Sequence, residues 1–478
     1  MLRPNEGIFR MTQSATAPTT GANEKVTLSV WRRMGYASGD FANNMSWSLV
    51  SGYLMYFLTD VAMLSAAAVG TMLMVPKAFD AIIDPFIGNL ADRTNTRWGR
   101  YRPFILFACV PMLILNVLTF STFPQWSSDG RFIWAAVTYV ALVVFYSLVN
   151  IPYSAMPAAL TRDANVRSSL ASYRMTAAFL AMTLLSFGLI RVVEWAGQGD
   201  TARGYQLGAL VFSLIAFPFY LIAFFSNKEI VKVPYVKVRY KYLFAALKGN
   251  GPVWSLVGAF TAWGILQGGM GMRLYYFTYN AGNQLLFADN TTIQSFVSMF
   301  GAFSITTLVV KVKNKRTLPI IGFVTAGIAC IVCFFLPIQT PFGVWGYYAM
   351  SVLIGVGQGM ILASLFGMVP DTTEYTIWRY KVHAAGFVSA FITFAFKLGI
   401  AVATAGAGWV LAGIGYQADA AQTPHALYWI NWTSHLLVGV LMLLGALCLR
   451  FYKLDKKTYD DIVDDLNRQG ESQVVEML

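Results

Sequence analysis

Residues 77–103 read KAFDAIIDPFIGNLADRTNTRWGRYRP. The first part closes an apolar run, about 66 to 91, long enough for a bilayer, which takes about 20 mainly apolar residues to cross. The rest is a loop crowded with arginines. A charge at the bilayer centre costs roughly 2.5–3.5 kcal/mol on insertion scales, so ionisable groups inside such a run face a cavity or a partner. Lys77, Asp80 and Asp84 are spaced three and four apart, which puts them on one helix face. Lys77 offsets one carboxylate and leaves a net negative site for a proton or small cation. Two close carboxylates also tend to share a proton. Asp84, just before Pro85, alternatively belongs with the rim charges.

The surrounding chain supports a membrane setting. Of 478 residues, 56% are hydrophobic and 12% charged, and the mean hydropathy is +0.55. Soluble domains carry about 25% charged residues. Apolar runs fall near 36–59, 66–91, 103–122, 131–157, 169–193, 205–226, 253–279, 291–311, 316–337, 342–368, 383–414 and 424–451. The expected fold is therefore an all-α membrane protein of twelve spans. Lysines and arginines crowd the segments after even-numbered runs, such as Arg93, Arg97, Arg100 and Arg102. By the positive-inside rule both termini are cytoplasmic. The net charge of +12 is thus spread over short loops, which excludes the single basic face that nucleic acid requires. Cys109, Cys330, Cys333 and Cys448 all lie in apolar runs and read as core, not as metal or redox ligands.

Polarity divides the chain into a disordered N-terminal tail (1–30), a six-helix half (31–226), a basic linker (227–252), a second six-helix half (253–452) and a charged C-terminal tail (453–478). Either Met1 or Met11 serves as the start. Six plus six with a cytoplasmic linker matches the layout of the major facilitator fold. Asp92 is set to pair with Arg93 and Arg97 as a rim latch that breaks between states. Asp371 and Glu374 are expected to form the second half's latch with Arg379 and Lys381.

Other polar groups sit inside the runs. Asp40, Asn44, Trp47 and Ser51 follow i, i+4, i+7 and i+11 along run one. A carboxylate, an amide, a hydroxyl and an indole on one face suit a sugar, whose hydroxyls need acceptors and donors; the alternative is a polar helix seam. Tyr146, Ser147 and Asn150 share a face of run four, Arg174 opens run five, and Lys397 lies deep in run eleven. Arg273 in run seven needs an anionic partner, either Asp40, Asp80 or an anionic substrate. His383, His425 and His435 have no catalytic neighbour in sequence, which argues against an enzyme.

These residues carry a resemblance. GYASGDFANN, YLMYFLTDV, FDAIIDPFIGNLADRTNTRWGRYRPF, YSLVNIPYSAM, YYFTYNAG, VPDTTEY and KLGIA, between about 34 and 455, resemble the glycoside–pentoside–hexuronide:cation symporters of the major facilitator superfamily. The resemblance implies that Asp80, Asp84 and Ser147, with Asn150 beside them, bind a coupling cation. It implies sugar contacts at Asp40, Trp47, Tyr146, Arg174 and Lys397, to which the residue reading adds Asn44, Asn150 and Arg273. In the melibiose-carrier branch an aspartate stands at the position of Asn150, aromatics at those of Ser154 and Leu362, and a lysine at that of Gly39. The missing acid favours protons over sodium as the coupling ion.

The expected function is cation-coupled symport of a sugar, glycoside or hexuronide across a bacterial inner membrane by alternating access. No cofactor is expected, and no metal beyond a sodium ion at the cation site. The expected partners are the small-molecule sugar, the cation and the bilayer, with no nucleic acid and a monomeric chain. The alternatives are an organosulfonate or lysolipid cargo, an exporter, or a sensor that binds without flux.

Overall fold

The computed structural model describes residues 28–161, 164–229, 247, 249–311, 314–380 and 385–475. The N-terminal tail, most of the 227–252 linker, Lys381, His383 and the Asp92 side chain lie outside what is described. The described residues are helical throughout, apart from connecting turns and one isolated bridge between Thr96 and Gly99.

The first half comprises α1 (Val30–Tyr56), α2 (Ala66–Arg93), α3 (Arg102–Thr119), α4 (Ser128–Leu160), α5 (Ala164–Gly197) and α6 (Thr201–Ser226). The second comprises α7 (Gly251–Tyr275), α8 (Gln284–Lys311), α9 (Thr317–Phe335), α10 (Pro341–Tyr380), α11 (Ala385–Gly413) and α12 (Pro424–Arg450). A terminal α13 (Lys456–Val475) follows. Eight of these helices are long and apolar enough to cross a membrane. The helix starts obey local chemistry. Ser127, Asp200, Asn250 and Thr423 each accept a hydrogen bond from the backbone N–H three residues on, which satisfies an otherwise orphan donor.

The two halves are built alike. α1 ends in a π turn, Phe57–Val61, and α7 in another, Tyr276–Asn280. The Ala62 N–H donates to the Phe57 carbonyl at 2.8 Å, and Ala281 N–H to Tyr276 at 3.2 Å. Next come the Leu64 N–H to Leu58 and Asn283 N–H to Phe277, at 3.0 and 2.9 Å. Each turn needs one residue at positive φ, Met63 at 54° and Gly282 at 68°. This repeat is too weak in sequence to see by eye. It is plain in the backbone.

α2 packs on α11, α5 on α8, and α1 on α7, so these six helices form the interface between the halves. α2 and α11 approach closely because both carry glycine at their crossing. A Cβ on Gly408 would stand 2.8 Å from the Gly70 Cα and 2.5 Å from the Ala66 carbonyl oxygen. The end of the bundle where α1 finishes is clasped by polar contacts between halves. Asp60 accepts from Tyr279 and Tyr416, Gln284 donates to Tyr56 at 2.7 Å, and Arg191 pairs with Asp289 at 2.6 Å.

The C-terminal segment is more than a solvated tail. α13 lies along α10, Ile462 is buried, and Trp378 Nε1 donates to Asp465 at 3.2 Å.

Candidate functional site

Two polar clusters lie along the interface. In the first, Arg174 of α5 forms a fork with Asp40 of α1: Nε pairs with Oδ2 and Nη2 donates to Oδ1 at 3.3 Å. Tyr153 Oη sits 3.1 Å from the same carboxylate and accepts the Asp40 backbone N–H at 3.1 Å. The Arg174 guanidinium also lies 5.0 Å over the Tyr153 ring, which stacks on Tyr36. A planar guanidinium that meets a carboxylate with two N–H groups is both strong and directional. Asn44 donates to the Asp40 carbonyl at 2.9 Å. Trp47, one turn on, stacks on Tyr146 with ring centroids 5.1 Å apart. The stripe expected on α1 is thus on one face and joined by α4 and α5.

The second cluster faces it from α2 and α11. Lys397 Nζ donates to Asp80 at 2.7 Å and also to Asp84. Ser147 donates to the other oxygen of Asp80. The Asp84 Oδ1 atom is buried and has no hydrogen-bond partner. Desolvated carboxylates are tolerated when paired, and here the pairing crosses between the halves.

Several expectations need correcting. Lys77 does not offset the carboxylates by contact. Its Nζ donates to Thr404 at 3.2 Å and lies 5.5 Å over the Trp47 ring, while Lys397 takes the acids. Asn150 meets neither acid. Its carbonyl oxygen accepts from Asn43 at 3.5 Å, and Asn43 in turn accepts from Tyr220 at 2.7 Å. Arg273 reaches neither Asp40 nor Asp80. It is only 2% exposed and donates to Gln294 at 3.1 Å and Cys330 at 3.4 Å, inside the second half. Asp371 pairs with Lys315 at 2.7 Å rather than with Arg379, which is exposed. Glu374 Oε2 is buried without a partner. Arg93 and Arg97 are exposed, and Arg97 stacks over Trp98 at 4.6 Å.

Three further residues carry contacts to which the sequence reading gave no role, and His435, read as lacking a catalytic neighbour, has polar partners. Tyr153 continues the Tyr146–Asn150 face by one turn, so spacing alone would have found it. Asp60 gave a signal only as the end of YLMYFLTDV. Glu229 caps α3 by accepting the N–H groups of Arg100, Tyr101 and Arg102 at 2.8, 2.7 and 3.1 Å. Its partners lie more than a hundred residues away, where no spacing argument reaches. His435 is fully buried, bonded to Tyr347 and, at 2.8 Å, to Asn431.

Residues 35–456 match the family model described as MFS/sugar transport protein. The chain belongs to that family. Within it, the glycoside–pentoside–hexuronide:cation symporter group indicated by the motifs is confirmed by the relatives. The chain is 32% identical over 450 residues to the uncharacterized symporter YnaJ of Bacillus subtilis, covering 92% of this chain and 96% of that one. It is 33% identical over 439 residues to the isoprimeverose transporter of Lactiplantibacillus pentosus, covering 89% and 88%. A more distant relative in Escherichia coli, at 28% identity over 94% and 98%, carries the name of a 2,3-dihydroxypropane-1-sulfonate exporter. Among solved structures, a bacterial homologue of the human lysosomal transporter Spinster, inward-facing and unoccupied, superposes with a TM-score of 0.60. That likeness covers 91% of this chain and 99% of the other at 14% identity, and it supports the fold alone. The family member described here is therefore a multi-pass membrane transporter and not an enzyme.

Proposed function

We propose that the protein is a cation-coupled symporter that brings a sugar or glycoside into the cell through twelve spans, with both termini cytoplasmic. One observation carries this reading. Lys397 of the second half ties Asp80 and Asp84 of the first, while Asp84 keeps one buried oxygen free of any donor. A cation that loads on these carboxylates competes with Lys397 and loosens the bond between halves. Binding and rocking are then linked through one element that both sites bias.

Protons suit the cluster better than sodium. A sodium ion would need several oxygen ligands where the Lys397 ammonium already sits, and Asn150, which offers no charge, is turned to Asn43. A proton on Asp84 needs no coordination shell. The sugar is assigned to the facing cluster: Asp40 and Arg174 for its hydroxyls, and Trp47 on Tyr146 as an aromatic platform. Names borne by the relatives, isoprimeverose transporter among them, support a sugar cargo. The sulfonate exporter among them supports a second reading, an anionic cargo moved outward.

With the termini inside, the Asp60 end faces outward and is held shut by contacts between the halves. Arg174 and the exposed Ser154 then lie toward the cytoplasmic side of the Asp40 cluster. Asp92, Arg93 and Arg97, with Asp371, Glu374 and Arg379, stay proposed as gating groups at that rim.

The test is accumulation of labelled glycosides, pentosides and uronides in vesicles under an imposed proton gradient, a sodium gradient, or neither. Gradient-driven accumulation of a sugar identifies cargo and ion. Failure of every sugar under both gradients would overturn the reading in favour of the sulfonate one.

A further inference from the structure

A groove of about 530 Å³ runs down the outside of the bundle between α2 and α4. Three alanines, Ala67, Ala68 and Ala136, leave room between larger neighbours such as Met72, Phe132 and Val140. Its α2 wall falls within the apolar stretch Ala66–Lys77, and α4 is long and apolar enough to cross a membrane. Beside it Val75, Ile133, Val137 and Val140 are exposed. In a multi-pass transporter such an apolar face meets hydrocarbon, not water. From Ala67 to Pro76 the α2 wall rises about 14 Å, close to half of the roughly 30 Å hydrocarbon core. The groove is one leaflet deep.

A charge marks its end nearest the Asp60 clasp. Arg131, in the first turn of α4 and next to Phe132, reaches the turn that leads into α2, where Nη1 donates to the Ala62 carbonyl at 2.8 Å. Its Nε is buried without an acceptor. Among the described residues no carboxylate pairs with it, whereas Arg174 and Arg191 each have one. Asp129, two residues earlier, is exposed and points elsewhere around the helix. At the same end Phe123, Trp126 and Trp134 pack together, with ring centroids 4.6 to 5.9 Å apart. Aromatic belts of this kind sit at headgroup level. Arg131 therefore stands where the headgroups begin, and the groove runs from it into the hydrocarbon. A cation at that level with no acid of its own is matched by a headgroup with one net negative charge.

We propose that this groove seats one acyl chain of an anionic phospholipid whose phosphate rests on Arg131. The site lies outside the Asp40 and Asp80 clusters and does not depend on which cargo or ion they take.

The test uses the full chain in phosphatidylcholine vesicles, with a fluorophore on the exposed position Val137→Cys. Cys448→Ala removes the one native cysteine that is not fully buried. Phosphatidylglycerol or phosphatidylcholine carrying a spin label on the acyl chain is added, and quenching reports how much of each lies in the groove. The native groove is expected to be half-filled at an about fivefold lower mole fraction of phosphatidylglycerol than of phosphatidylcholine. Arg131→Gln should make the two lipids equal, and Arg131→Lys should keep most of the preference. Ala136→Trp leaves Arg131 in place but fills the groove, so quenching by both lipids should fall to the level of random neighbours. Excess soluble glycerol phosphate should displace nothing. Equal quenching by the two lipids in the native chain would overturn the proposal. So would a preference that survives Arg131→Gln or Ala136→Trp, or displacement by glycerol phosphate.

Discussion

Lys397 of α11 donates to Asp80 of α2 across the interface between the halves, with Nζ 2.7 Å from Oδ2. The same ammonium reaches Asp84 one turn away. The ion pair thus serves two ends. It neutralises two partly buried carboxylates and ties the two halves together. In the proposed mechanism coupling follows, because whatever weakens this tie on one side changes the balance of states seen by the sugar on the other.

The Asp40–Arg174 pair, the proposed sugar contact, should behave as a unit. Asp40→Asn and Arg174→Gln are each expected to lower kcat/KM for uptake by about a hundredfold. The double variant should be little worse than either single one, giving a coupling energy of about 2.5 kcal/mol. Arg174→Lys keeps the charge but loses the fork, so it should restore little. Initial-rate uptake across the double-mutant cycle checks this.

In the proposed orientation the Asp60 clasp lies on the outer side and should set the resting state. Asp60 accepts from Tyr279 and Tyr416 of the second half, and bonds to a charged group are worth about 1.5–3 kcal/mol each. Asp60→Asn should therefore shift the population toward the outward-open state by tenfold or more. A cysteine introduced by Ser51→Cys, which lines a small cavity between the halves, should then react correspondingly faster with an impermeant thiol reagent applied from outside.

The glycine crossing should be intolerant of bulk. Gly408→Ala places a Cβ 2.8 Å from the Gly70 Cα, and backbone atoms cannot give way as a side chain tip can. The expected cost is about 1–3 kcal/mol, read as a lower Tm of the detergent-solubilised protein.

Arg273 should be dispensable for transport. It is buried on Gln294 and Cys330 and away from both clusters. Burying a charge brings little net stability when a shape-matched apolar group can replace it. Arg273→Met should retain uptake within about twofold of native. The same assays that show loss at Arg174 check the contrast.

What was legible in the sequence follows from what spacing can report. Periodicity along one helix put Asp40, Asn44, Trp47 and Ser51 on one face, and the structure keeps them together. Motifs spread along the chain, from GYASGDFANN to KLGIA, led to the family. Spacing cannot name a partner on another helix. Spacing therefore points to Lys77, three residues from Asp80, whereas Lys397 reaches Asp80 from 317 residues off through the packing of α2 on α11. Arg273 misled for the same reason: its partners are an amide and a thiol, which carry no charge pattern. Asp60 and Tyr279 occupy equivalent places in the two π turns and touch each other, a relation that exists only once the halves are folded together.

The most direct test of the account compares accumulation with exchange in Asp80→Asn. Vesicles would be measured for uphill accumulation of a transported glycoside under an imposed proton gradient, and separately for exchange of labelled against unlabelled glycoside with no gradient. The account predicts that Asp80→Asn loses accumulation while exchange continues, because the ion's seat is gone and the Asp40–Arg174 site is intact. Accumulation that survives in Asp80→Asn would contradict it and place the driving ion elsewhere.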